Sequence, residues 1–247
     1  MNNQTAIITG ASTGIGQAIT ELFLEQGYNV IMNSSSLENL EKAHASFGSP
    51  NNASLVPGDI SKQVVGELLV KTAVDKYGSV DVLINNAGVF APKPFLEVGE
   101  DELDRFLAVN LKGTYHTSQS AIRQMLTQKS GAIINIGTVL VEHAIAGFPA
   151  TAPIASKGAI HSLTRQLAAE FGQDNIRVNT IAPGIIRSPL QSKIGVEDAD
   201  SLAGLHLLNR IGEAREIAEA ALYLASSEFI TGETINVAGG HTVGHAI

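Results

Sequence analysis

Three glycines in a seven-residue stretch, Gly10-Ala11-Ser12-Thr13-Gly14-Ile15-Gly16, separate a β-branched run from the first segment of helical periodicity. Glycine lets a backbone turn tightly and approach an anion, and the unpaired N–H groups that open a helix favour negative charge. Between a strand and a helix, that combination cradles the pyrophosphate of a dinucleotide. The spacing is G-x-x-x-G-x-G rather than G-x-G-x-x-G, so taken alone it also fits a tight strand–helix connection. The chain has no cysteine, which excludes thiol nucleophiles, disulfides, zinc–thiolate sites and iron–sulfur clusters. His241 and His245 have the four-residue spacing of metal ligands, but they follow Gly239-Gly240 without a flanking carboxylate, and no metal is expected.

The elements that must position this chemistry are legible in the hydrophobic pattern. Short apolar runs at Thr5–Thr9, Asn29–Asn33, Ala53–Pro57, Val80–Asn85, Ala132–Ile136, Arg177–Ile181 and Thr234–Val237 are bounded by Gly, Asn, Pro or Ser and read as seven strands. Helical spacing fills Gly16–Gln26, Leu37–Phe47, Val64–Tyr77, Asp101–Leu126, Ile154–Phe171 and Ala214–Ala225. Strands alternating with helices predict a doubly wound α/β fold, a mainly parallel seven-stranded sheet with helices on both faces. No linker breaks the 247 residues, so residues 1–247 read as one domain. Gln191 to Asn209 differ in texture, polar first and then Leu/His-rich, and predict a mobile lid over a substrate at residues 189–210. Its Leu202, Leu205, Leu207 and Leu208 fit either a pocket wall or an amphipathic helix packed on the body.

Sixteen basic against 24 acidic residues give a net charge of −8, which argues against nucleic-acid binding and against an anionic membrane. No apolar run approaches the roughly 20 residues that span a bilayer. Met1-Asn2-Asn3-Gln4 lacks the basic start of a secretory signal. A soluble, cytoplasmic protein acting on a small molecule is expected.

Further segments, each in its own place along the chain, resemble the short-chain dehydrogenase/reductase family. Asn85-Asn86-Ala87-Gly88 is similar to the family's Asn-Asn-Ala-Gly segment after the fourth strand. Asp59-Ile60 is similar to its adenine-contacting Asp, and Asn110 in Val109-Asn110-Leu111-Lys112-Gly113 to its active-site Asn. Pro183-Gly184 through Ile186 to Ser188, with Ser in place of the usual Thr, resembles the stretch that contacts the nicotinamide carboxamide. The resemblance covers essentially the whole chain. It implies a single-domain Rossmann fold, a nicotinamide cofactor held by Gly10, Ser12, Thr13, Gly14, Ile15 and Gly16 together with these segments, and assembly as a homotetramer or homodimer. The segment from Ala238 to Ile247 is expected at a subunit interface.

The end of the second strand usually discriminates between cofactors, a carboxylate there binding the ribose hydroxyls of NAD. Here stand Asn33, Ser34 and Ser35, hydroxyl donors with no acid to repel a 2′-phosphate, and NADP(H) is favoured over NAD(H). No Arg or Lys stands there or at Thr13 to add a charge-assisted contact. The serine run, ending at Ser36, also fits an N-cap for the helix beginning at Leu37.

Hydride reduction of a carbonyl needs a proton donor beside the developing alkoxide. The family supplies Ser, Tyr and Lys, the Lys four residues after the Tyr. Ala155-Ser156-Lys157 resembles the family's Ala-Ser-Lys, which implies that Lys157 contacts the nicotinamide ribose, but four residues earlier stands Pro153. Proline has no ionisable group and no N–H, although the first turn of a helix accepts it. The pattern of enoyl reductases, Tyr seven residues before Lys, meets Ala150 instead, and Tyr28, Tyr77, Tyr115 and Tyr223 lie elsewhere. Thr138 occupies the Ser position. His143, in the connection between Thr138 and Pro153, or a water held by Thr138, Asn110 and Lys157, is the candidate proton source.

A positioned acid contributes about a hundredfold to ten-thousandfold. Without Tyr the expectation is therefore either slow carbonyl reduction or a substrate needing little protonation, such as an iminium or an activated olefin. The alternative is a cofactor-binding pseudoenzyme or nucleotide-sensing module. Among family members, 3-oxoacyl carrier-protein reductases are similar, yet Asp174 and the net −8 charge disfavour an acidic carrier. Lys129 reads as a solvated side chain at a helix end.

Overall fold

A computed structural model describes residues 4–190 and 195–246. Seven parallel strands, β1 (Thr5–Thr9), β2 (Asn29–Ser34), β3 (Ala53–Pro57), β4 (Val82–Asn85), β5 (Gly131–Ile136), β6 (Ile176–Pro183) and β7 (Thr234–Val237), form one sheet in the order β3-β2-β1-β4-β5-β6-β7. The chain reverses direction across the sheet between β1 and β4, which opens a crevice at their carboxyl ends. This is the doubly wound Rossmann architecture the alternating pattern predicts.

Two apolar layers explain why the strands are continuous hydrophobic runs. Successive side chains on a strand point to opposite faces. Ala6, Ile8, Val30, Met32, Ile84 and Ile134 pack on one side against α1 (Gly14–Glu25), α2 (Leu37–Ser46) and α7 (Ala214–Ser226). Ile7, Ile31, Leu83, Ile133 and Val178 pack on the other against α3 (Gln63–Tyr77), α5 (Gly113–Gln128) and α6 (Thr151–Phe171). The last carbonyls of α7 would otherwise lack partners, and the Arg177 guanidinium donates to Leu224 O and Ala225 O, both at 2.7 Å.

Two differences from the sequence expectation have local causes. The helical pattern Asp101–Leu126 is three pieces, α4 (Glu100–Phe106), a π-helical turn (Leu107–Lys112) and α5. The wide turn carries Asn110, whose side chain is fastened across to Val89 and Ser156. Gly113 then passes so close to Ile60 that a Cβ would lie 2.6 Å from its Cδ1. Helix α6 begins at Thr151, three residues ahead of the predicted start, because Pro153 sits in the first turn, where no N–H is needed. Among the described residues no helix is long and apolar enough to cross a membrane.

Candidate active site

The glycine segment wraps the end of β1. Gly10 and Gly14 have φ of +65° and +55°, a left-handed backbone that penalises side chains. At Gly16 a Cβ would stand 2.1 Å from Gly10 O, so β1 and α1 approach this closely only with glycine there. The turn is fastened from β4: Asn86 Nδ2 donates to Thr9 O (3.0 Å) and Gly10 O (3.2 Å), while the Asn86 and Ala87 amides both donate to Thr9 Oγ1 at 3.0 Å. Thr13 precedes α1 without a side-chain cap bond, leaving the first N–H groups of the helix facing a cleft. That cradle, which a single Cβ would fill, fits a pyrophosphate.

At the end of β2 the predicted contacts separate. Ser34 is half-buried and its hydroxyl accepts from Ser12 Oγ at 3.1 Å, and Ser35 is exposed. Ser36 caps α2 through Asn39 N at 3.2 Å. Asn33 is buried and its amide donates to Val56 O (3.0 Å) and Gly58 O (3.1 Å), so its side chain braces β3. Asp59 is exposed and accepts from Ser61 N at 2.9 Å, beside the buried Ile60.

A cavity of about 640 Å³ runs from Gly10, Thr13, Gly14 and Ile15 past Asn86, Ala87 and Gly88 to Thr138 and Lys157, bordered by Pro183, Gly184, Ile186 and Ser188. Its far end is apolar, walled by Phe90, Leu140, Ile145, Phe148, Leu202 and Leu205. Lys157 Nζ donates to Ile136 O at 2.6 Å, and burial pulls its pKa down to about 8. Thr138, half-buried, accepts from Leu140 N at 3.3 Å. Asn110 is buried and committed to the fold: Oδ1 accepts from Val89 N (2.8 Å), and Nδ2 donates to Val89 O (3.0 Å) and Ser156 Oγ (2.8 Å). Ser156 in turn donates to Pro153 O at 2.7 Å. Asn110 thus holds the loop after Gly88 against the start of α6.

His143 is half-buried and stands outside the cavity lining. His241 lines the cavity instead, 1% exposed, with neither ring nitrogen hydrogen-bonded. The sequence gives no signal for this placement, since no spacing joins a residue in the last turn to one after β5. Of the lid leucines, Leu202 and Leu205 face the cavity from a 3₁₀ helix (Ala199–Leu205), whereas Leu207 and Leu208 are mainly exposed. Arg187 ties the segment down through Asp200 (2.7 Å) and Glu213 (3.0 Å). The predicted lid also includes residues 191–194, which lie outside the described residues. The C-terminal turn packs on that segment, Ala246 N donating to Gly204 O at 3.1 Å. Among the described residues no group of three or more His, Asp or Glu is arranged to hold a metal. Lys129 ends α5 in a left-handed conformation.

A family model described as enoyl-(acyl carrier protein) reductase matches residues 10–242. A 3-oxoacyl-[acyl-carrier-protein] reductase of Thermotoga maritima is 34% identical over 97% of this chain and 98% of its own length. The crystal structure of a short-chain type dehydrogenase/reductase from Mycobacterium marinum superposes with a TM-score of 0.92 at 28% identity, covering 97% of this chain and 96% of that one. ElxO with NADP bound superposes at 0.90 with 28% identity, covering 96% and 98%. Fold, cleft and relatives agree, and the chain belongs to the short-chain dehydrogenase/reductase family, oxidoreductases that bind NAD or NADP.

Proposed function

We propose that this protein is an NADP(H)-dependent oxidoreductase that reduces a small, uncharged carbonyl, imine or activated olefin with an apolar body. The observation that carries the reading is the continuous cavity, which joins the glycine cradle to Thr138 and Lys157 and ends in an apolar pocket. NADPH, when bound, supplies the hydride. The N–H groups of Gly14, Ile15 and Gly16 receive the pyrophosphate, and Ser12, Ser34 and Ser35 offer hydroxyls, with no carboxylate among them, to a 2′-phosphate. Lys157, with a pKa near 8, is mainly cationic at neutral pH and stabilises negative charge growing on the substrate oxygen. Thr138 offers a hydroxyl to the same oxygen.

An acyl group on an acidic carrier protein, the substrate class in the names of several relatives, fits less well. Among the described residues Lys157 is the only Lys or Arg in the cavity lining, and the chain carries a charge of −8. Exposed apolar Leu103 and Tyr115 on α4 and α5, and Tyr223 and Phe229 by α7, offer faces for assembly as a homotetramer. Pro153 favours the second reading, a module that binds cofactor without turnover.

The test is NADPH oxidation against a panel of aryl ketones, cyclic imines and enones, with Lys157→Ala alongside. Turnover in the wild type that falls about 100-fold to 1000-fold in the variant is the expected result. NADPH binding with no reduction of any compound would transfer the assignment to the non-catalytic module.

A further inference from the structure

Four of the chain's seven histidines meet beside the cavity. His143 comes from the turn after Thr138, His206 from the lid segment, and His241 and His245 from the C-terminal turn. The ring of His241 is central, its centroid 5.4 Å from that of His143, 5.2 Å from that of His206 and 5.9 Å from that of His245, with the rings edge-on. His143 and His245 are 5.3 Å apart. His206 has a structural partner, its Nε2 accepting from Ile185 N at 3.1 Å, and His245 Nδ1 meets Leu205 O at 3.0 Å. His241 has none. A buried polar atom left unpaired costs about 1–3 kcal/mol, and such atoms are rare enough in folded proteins to need a reason. Here the unpaired imidazole borders the substrate cavity, and among the described residues it and Lys157 are the two ionisable side chains in the lining.

We propose that His241 is a catalytic residue that hydrogen-bonds the reacting heteroatom of the substrate and delivers the proton that Pro153 cannot, with His143 and His245 as the route from solvent. The proposal rests on the oxidoreductase reading above. For a ketone, the hydride supplied by bound NADPH forms the new C–H bond and the C=O π pair moves to oxygen. That oxygen takes a proton from one ring nitrogen of His241. The other ring nitrogen takes one from His143 or His245, which recovers it from water at the surface. His241 exchanges tautomers and ends neutral, as a ring with one donor and one acceptor nitrogen permits. Burial and the neighbouring histidines hold its pKa down to about 4, so the ring is a neutral donor at working pH, a role imidazole is known to fill at carbonyl-activating sites. Lys157 contributes charge and His241 the proton, two roles that the family combines around one Tyr.

The experiment compares wild type with His241→Phe and His241→Gln on the substrate found in the panel, together with NADPH affinity and thermal midpoint. Phe keeps the ring packing and removes both nitrogens, whereas Gln keeps a donor but cannot exchange protons. The expected result is a kcat about 100-fold lower in both variants, with KM within a few-fold, NADPH affinity unchanged and a midpoint that does not fall, rising in His241→Phe as the unpaired nitrogens are removed. Wild-type kcat in His241→Phe overturns the role of His241 and leaves the oxidoreductase reading standing. A kcat loss matched by lost NADPH affinity or a collapsed midpoint also overturns it, as a structural effect. Absence of wild-type turnover overturns both. Independently of turnover, ¹⁵N-histidine spectra of the NADPH complex titrated with 1-phenylethanol show the ring-nitrogen signals of His241 moving. Signals that stay fixed while the alcohol binds overturn the contact.

Discussion

The two ends of the cavity are built differently. At the cradle end, Asn86 bonds to both Thr9 O and Gly10 O, Thr9 Oγ1 accepts two amides, and Gly16 leaves no room for a Cβ. At the end proposed to react, Pro153 in the first turn of α6 has no proton to give, and His241 is buried with both ring nitrogens unpaired. An anion can be held by backbone N–H groups in a fixed turn, so cradle side chains serve mainly to fix geometry. A reacting group must stay free to meet a substrate, so its polar atoms are left unpaired at a cost in stability. On the proposed function, the difference is that between a site that binds and a site that reacts, and it can be attacked at either end.

The largest expected effect is at the cradle. Gly16→Ala forces a methyl against Gly10 O, backbone that cannot swing aside, and is expected to cost about 3 kcal/mol, lowering the thermal midpoint by about 6–12 °C. NADPH affinity falls with it. A variant with unchanged midpoint and affinity would show that the cradle relaxes and would erase the contrast.

At the reacting end, Lys157 has a folded pKa near 8 against 10.5 when exposed. The folded protein therefore releases its proton first as pH rises, the unfolded chain holds more protons between these values, and stability rises with pH in that window. Below pH 8 the burial penalty is fully present. The gain across the window is at most about 3 kcal/mol, and Lys157→Met is expected to be more stable than wild type at pH 7 and to lack the rise. Denaturant midpoints from pH 7 to 10.5 check this, and parallel slopes in the two proteins would mean that the ammonium is not buried.

The smallest effect is expected from Asn86→Ala, which leaves Thr9 O and Gly10 O without their amide while the Thr9 hydroxyl still bonds the backbone. A loss of about 1–2 kcal/mol in chemical denaturation is expected. It should be accompanied by weaker NADPH binding, while KM for the reducible substrate at saturating cofactor stays unchanged. A raised substrate KM would show that the two ends are coupled.

The cradle end was far more legible in the sequence than the opposite end of the cavity. The β-branched runs predicted all seven strands, because strands covered on both faces must be apolar throughout. Gly10, Gly14 and Gly16 were legible because a left-handed turn and a close approach need glycine whatever surrounds them. Pro153 was legible as a residue that cannot donate a proton, because proline has no ionisable group. The π turn around Asn110 was not, since it depends on Val89 and Ser156 reaching one amide from two other segments. His241 in the cavity lining was not either, since a C-terminal residue enters the cavity only when its turn packs on the lid.

The sequence by itself determined the strand–helix alternation, the glycine cradle and a proline without an ionisable group four residues before Lys157, because each follows from properties of a residue and its near neighbours. Only the tertiary structure decided that Asn33 braces a strand, that His143 stands outside the cavity, and that four histidines share one cluster. Those outcomes depend on contacts between segments up to about a hundred residues apart, which burial enforces and local spacing does not encode.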